Sequence, residues 1–348
     1  MASTEFANGD AQSVLRWSAS LTRETLGKTF FKRFTGTSAN SIIRVHTDLQ
    51  KGAGDTVKYD LRTQDRTDGR HGDAEMNGFE TALTFYQDSL KIDQLRKAHE
   101  YRGMSQQRTV HDLRAEARDS LSTWWAWVLD SLMFAYLAGL VGDVASNPEC
   151  CLPVYGTGGF AGNTVNAPDS DHLYDPSATA ILAHIDQLVY QAKTINPRVE
   201  PTMVGGKPYY VLVLHPITVK ALRTAVSASA VSWTTIQQEV GPRDLSNPIF
   251  TGAMGMYNGC VIHESEFVPR QAAEPETWNM LLGANAGSFA LGNAHGGGVS
   301  TPGMFKWNEQ IDDYTNKKGI GTSCIFGMQG NLWNSKRHGV IVYKVDDA

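Results

Sequence analysis

The stretch DLRAEARDSLSTWWAWVLDSLMFAYLAGL, Asp112 to Leu140, decides how the rest of the chain is read. It has no proline, and its one glycine, Gly139, lies near its end. Apolar residues recur at Leu113, Ala117, Leu121, Trp124, Val128, Leu132 and Tyr136. Steps of three and four draw one stripe along a helix. At about 1.5 Å per residue such a helix would span roughly 43 Å, far beyond the common length of about 11–12 residues. The charges Asp112, Arg114, Glu116, Arg118 and Asp119 crowd its first half, and Trp124, Trp125, Trp127, Phe134 and Tyr136 its second. The predicted helix is wet at one end and covered at the other, with Leu121, Trp124, Trp125, Val128, Leu132 and Tyr136 as its packing residues. Asp130 interrupts the apolar run from Trp124 to Val141. A charge is costly in lipid, so this run is read as a core helix and not a membrane span.

The segments on either side of this helix differ in texture. Residues 1–47 read as an arm. Leu15, Trp17, Leu21, Leu26, Phe30, Phe31 and Phe34 give it anchors without a sustained period. Such a segment has no core of its own and must lie on another surface, its own subunit's or a neighbour's. Residues 48–92 read as a two-stranded excursion. Val57, Tyr59 and Leu61 alternate with Lys58 and Asp60, and Leu83, Phe85, Leu90 and Ile92 form the return limb. The tip between the limbs carries Arg62, Asp65, Arg66, Asp68, Arg70, Asp73 and Glu75, with Met76 almost alone as an apolar residue. Long loops are commonly functional, and interleaved charges on a projection suit docking on another subunit. Each exposed pair contributes only about 0–1 kcal/mol, so docking of this kind needs many. Residues 93–111 carry Arg96, Lys97, His99, Arg102, Arg108 and His111. They read as a solvated helix face, or as a contact for an acidic partner.

After the helix the pattern is mixed α/β. A helix is predicted over 177–195, then a buried strand in YYVLVLHP, Tyr209 to Pro216, then a helix over 217–230. Cys260–His263 and Met280–Leu282 read as further strands, and Gly339–Val345 as a final strand tied into a sheet.

The chain has 348 residues, 41% hydrophobic and 19% charged, with a net charge of −5. These values describe a folded protein that does not bind polyanions by bulk charge. The four cysteines, Cys150, Cys151, Cys260 and Cys324, form no CxxC pair, so they read as free thiols in a reducing compartment and not as a zinc site. The N-terminus has no basic region followed by an apolar core, which excludes a signal peptide there and predicts assembly in the cytoplasm. The histidines show no HExxH spacing, and no GxSxG elbow is present. Asp169, Asp171 and Asp175 lack the glycine and closing glutamate of a calcium loop. No catalytic residue, cofactor or metal is assigned.

The order of arm, charged excursion, long helix, mixed α/β region and returning strand resembles the Hong Kong 97-type major capsid proteins of tailed phages. Particular stretches are similar to the branch typified by coliphage N-four: FTGT at Phe34–Thr37, KGAGDTV at Lys51–Val57, GDAEMNGFETAL at Gly72–Leu83, IDQLRKA at Ile92–Ala98, MSQQRTVHDLRAEARDSL at Met104–Leu121, LLGANAGSFALG at Leu281–Gly292 and DDYTNKKGI at Asp312–Ile320. The resemblance implies an α+β fold. Its parts would be an N-arm (1–47), an E-loop hairpin (48–92), a P-domain with spine helix (93–140), an A-domain of mixed sheet and helices (141–303) and returning P-domain strands (304–348). It implies a subunit that assembles with itself into hexamers and pentamers of a virion shell around double-stranded DNA. Portal, scaffolding and decoration proteins would be partners, and membranes would not. No fused scaffolding segment is expected ahead of the arm, so scaffolding would be a separate protein.

Two other readings stay open from the residues. One is an α/β enzyme, a hydrolase for example, using His172, His215 and His295 within 141–303. The other is a nucleic-acid-binding protein using the basic run Arg96–Arg108.

Overall fold

A computed structural model describes residues 11–50, 54–62, 69–73, 75–83, 85–139, 167–224, 253–271, 276–293, 304–314 and 316–346. The chain opens with helix α1 (Ala11–Lys28), then strands β1 (Thr35–Gly36) and β2 (Ile43–His46). A hairpin follows, β3 (Thr56–Arg62) and β4 (Phe85–Lys91), and then β5 (Asp93–Arg102), α2 (Gly103–Arg108) and the long α3 (Leu113–Ala138). The next group is β6 (Leu173–Tyr174), α4 (Leu182–Thr194), β7 (Thr202–Val204), β8 (Lys207–Leu214) and α5 (Pro216–Thr224). Then come β9 (Gly255–Tyr257), β10 (Cys260–Glu264), β11 (Arg270–Gln271), β12 (Glu276–Leu282) and β13 (Gly287–Leu291). The chain closes with β14 (Lys306–Asp312), β15 (Lys317–Gly330), β16 (Leu332–Trp333), β17 (Lys336–Arg337) and β18 (Val340–Asp346). The α+β class that the resemblance implies is the one observed.

Helix α3 begins and ends where its sequence says it should. The Asp112 side chain accepts the Arg114 N–H at 3.0 Å, satisfying one of the free donors of the first turn. Gly139 takes the left-handed conformation (φ 73°) and returns its N–H to the Ala135 carbonyl at 2.9 Å. Between them the helix passes from partial exposure to complete burial, with every residue from Val128 to Ala138 covered. Two sheets cover it. It packs against β15 of one and β12 of the other.

The first sheet has the order β1-β2-β13-β15-β14, with β5 also paired to β15. The second runs β6-β18-β12-β8-β10-β9, with β11 on β12 and β7 on β8. This second sheet is apolar on both faces. Val211, Val213, Val261, Met280, Leu282, Val340 and Val342 join the core around α3. Leu212, Leu214, Ile262, Leu281, Ile341 and Tyr343 join a second core under α4 and α5. A strand covered on both faces is a continuous apolar run, which is why Tyr209–Leu214 reads as it does.

Three expectations are revised. The final strand does not return to the sheet of β14 and β15. β18 pairs with β12 and β6. Its residues are apolar on both sides, so it belongs where both faces are covered. Conversely, β13, expected with the 141–303 region, pairs with β15 and β2. Residues 93–102 are a strand and not the approach to a helix, because β15 offers them a ten-residue antiparallel ladder. The described part of the arm lies on its own subunit: Leu21, Phe31, Phe34, Ile42 and Ile43 are buried in the core around α3.

Candidate assembly interface

The hairpin β3–β4 projects from a firmly held root. Val57 and Leu90 are buried there against Ala290. The Tyr59 hydroxyl lies 3.0 Å from Asp88 Oδ2 and 2.8 Å from Asn331 Oδ1. Asp88 also accepts the Gln329 amide at 3.0 Å and the Leu332 N–H at 3.2 Å. The His46 ring stacks on Tyr59 at 5.2 Å. Burial and the neighbouring Asp88 carboxylate push the Tyr59 phenol well above its usual range, so it stays a donor. Glycine makes the crossing possible. A Cβ on Gly327 would stand 2.0 Å from the Lys91 carbonyl oxygen, so the hairpin's return limb passes directly over bare backbone of β15.

Beyond the root the described residues of the hairpin are open to solvent. Residues 69–73 and 75–83 are exposed wherever they are described. Met76, Phe79, Leu83 and Phe85 are 50–62% exposed. Of the charges expected at the tip, Arg70, Asp73 and Glu75 are exposed. Arg70 sits over the Phe79 ring at 3.4 Å. Arg62 closes β3, and Asp65, Arg66 and Asp68 lie outside the described residues. The described part of the tip offers charge and apolar surface together, and Arg70 and Phe79 meet within it.

On α3, Leu121, Trp125, Val128, Leu132 and Tyr136 are buried. Trp124 is only half-buried, with Lys97 at 5.3 Å from its ring. The deeper ring is Trp125, whose indole N–H donates to Thr322 Oγ1 at 2.8 Å.

The sequence reading missed the part played by Asp130. Its two oxygens accept the backbone N–H groups of Phe30 (2.7 Å) and Phe31 (3.2 Å). Lys28 reaches Ser122 (2.7 Å) and Thr123 (2.9 Å) on the same helix. The arm is thereby fastened to α3. A lone carboxylate in an apolar helix was the available signal, since buried charge needs partners.

The described candidate histidines serve separate local partners. His172 Nδ1 is 2.7 Å from Asp169, and burial lowers its pKa despite that carboxylate. His215 Nδ1 accepts the Ile217 N–H at 3.2 Å, at the start of α5. His295 lies outside the described residues. Asp171 pairs with Lys336 and Asp175 accepts from Ser177, so the three aspartates of that loop serve different partners. Among the described residues no group of three or more His, Cys, Asp or Glu could hold a metal ion. No described helix is long and apolar enough to cross a membrane.

The whole chain can now be compared with known proteins. Residues 5–346 match the family described as phage capsid protein. The chain belongs to that family. This capsid protein is 28% identical to the major capsid protein of Pseudomonas phage KPP25, over 93% of this chain and 90% of the relative. The solved capsid of Ralstonia phage GP4 is 30% identical, with a TM-score of 0.81 over 100% of this chain and 99% of that one. The capsid of cyanophage Pam1 shares the fold, with a TM-score of 0.70 at 20% identity over 100% of this chain and 97% of that one. The chain is thus a phage major capsid protein, a structural component of the virion capsid that associates with itself, and not an enzyme.

Proposed function

We propose that this capsid protein forms the hexamers and pentamers of an icosahedral shell of the Hong Kong 97 type, in the branch typified by coliphage N-four, enclosing double-stranded DNA. The observation that carries this reading is the hairpin β3–β4, rooted at Asp88 and exposed beyond it. Its tip, Arg62 to Gly78, lies over a neighbouring subunit. Arg62, Asp65, Arg66, Asp68, Arg70, Asp73 and Glu75 supply paired charges, and Met76, Phe79 and Leu83 supply apolar cover. Helix α3 is the spine that fixes the distance between these contacts and the mixed α/β region. The parts 1–47, 48–92, 93–140, 141–303 and 304–348 act as arm, E-loop, P-domain, A-domain and return, except that β13 belongs with the return strands and β18 with the A-domain sheet.

A net charge of −5 suits a wall that encloses DNA without gripping it. Portal, scaffolding and decoration proteins complete the particle, which assembles in the host cytoplasm. Weak contacts repeated around closed rings give a strong shell. Electron microscopy of the purified protein under assembly conditions tests this: closed shells with five- and six-fold units are expected. A compact monomer under every condition would overturn it.

A further inference from the structure

Away from the hairpin tip, the surface carries a cleft of about 950 Å³ bordered by Tyr86, Lys193, Arg198, Glu200, Trp333 and Lys336. Trp333 stands in β16 at the border of this cleft. It precedes a two-residue turn, Asn334–Ser335, with both residues at positive φ (50° and 62°), the geometry of a tight β-hairpin. Its ring stands 6.3 Å from Tyr86 and 5.3 Å from His338. Lys336 is held by Asp171 at 2.6 Å. Lys193 and Arg198 are exposed and have no ion pair among the described residues. The cleft therefore joins half-exposed aromatic rings to two cations that make no ion pair among the described residues, with Glu200 also on its border. Rings and arginine of this kind are the side chains that dominate protein interfaces.

The complementary surface is on the same chain. At the end of β14, Asp312 and Asp313 precede Tyr314, which is fully exposed. Asp313 and Tyr314 are both at positive φ (52° and 50°), a conformation that non-glycine residues adopt at a cost. The Asn316 N–H closes the turn on the Asp313 carbonyl at 3.0 Å. A strained turn thus presents an aromatic ring and two carboxylates that its own subunit does not cover.

We propose that the Asp312–Asp313–Tyr314 turn of one copy docks in the Trp333 cleft of a second copy. The Tyr314 ring packs against Trp333 and Tyr86, and the two carboxylates face Lys193 and Arg198. The turn and the cleft are different surfaces, so the contact is head-to-tail and repeats from copy to copy. This inference rests on self-association but not on the hairpin docking proposed above.

Charge exchange tests it. Full-length protein is assembled and particles are counted by electron microscopy, with circular dichroism confirming that each variant folds. The Lys193→Glu/Arg198→Glu pair and the Asp312→Lys/Asp313→Lys pair should each lower particle yield about tenfold or more, because like charges then meet across the contact. The four changes combined should restore most of the yield. Tyr314→Ser should weaken assembly without changing the fold. Mixing Tyr314→Cys protein with Asn334→Cys protein under oxidation should give a disulfide-linked dimer.

Normal assembly by either charge pair overturns the proposal, as does failure of the combination to restore it. If only the cleft pair is defective, the cleft binds a different acidic segment and the docking assigned here is wrong. If the unaltered protein forms no particles while remaining folded, it is the self-association reading that fails.

Discussion

Asp130, in the buried half of α3, accepts the N–H of Phe30 at 2.7 Å, one hundred residues away in sequence. Burial raises the Asp130 carboxyl to about 7, against the pull of the two N–H donors and Arg33. The folded pKa lies above the usual 3.8, so this group's contribution to stability is full below that value. It is lost as pH rises through about 7. Asp130→Asn should flatten this dependence. Its melting temperature, compared with the native protein from pH 4 to 8, should be relatively higher at the alkaline end. Parallel curves would refute the assignment. Asp130→Ala should cost about 2 kcal/mol or more by orphaning both donors.

Trp125 and Trp124 are neighbours with different surroundings. Trp125→Ala removes a fully buried ring and its bond to Thr322. It should cost about 3–5 kcal/mol in denaturant unfolding. Trp124→Ala should cost about 1–2 kcal/mol, since part of that ring is already in water. Equal losses would contradict the orientation described for α3.

Asp88 joins the hairpin root to the end of β15 and the start of β16. Asp88→Ala leaves Tyr59, Gln329 and the Leu332 N–H without this acceptor. The loss should be about 2–3 kcal/mol locally. Amide hydrogen exchange in 85–91 should accelerate before that of α3 does. Uniform acceleration would mean that the root is not a separate fastening.

At the hairpin tip, Arg66→Glu with Arg70→Glu should leave unfolding within about 0.5 kcal/mol of the native protein, as surface changes usually do. Shell formation should fall, and the effect should shrink at high salt, where exposed pairs are screened. A variant that melts early but assembles whenever folded would reverse this division of roles.

Much of the subunit could be read from its residues because local signals agreed with the final fold. Asp112 and Gly139 mark the ends of α3, and the alternation around Tyr59 marks a hairpin. Other parts depended on distant partners. Helix α1 shows no apolar period because Ser18 and Thr25 share its buried face with Leu21. Ser18 donates to the Phe305 carbonyl, a partner far along the chain. Residues 93–102 become a strand only because β15 is there to pair with them. Trp125, expected as a packing residue although it lies off the stripe through Trp124, is the deeper of the two rings because a helix between two sheets is buried on more than one side. At the tip, the sequence showed the charges, while the exposure of Phe79 and Phe85 appears only in three dimensions.

The position of β18 sets the order in which the subunit can be completed. It is an interior strand, seated between β6 and β12, yet the ribosome makes it after everything it pairs with. Until Val340–Asp346 emerges, β12 presents an open edge, and both cores lack the side chains that β18 brings. A nascent chain interrupted before this point therefore has an unsealed sheet. Chains truncated before Val340 should therefore be left with both cores incomplete and fail to build a shell.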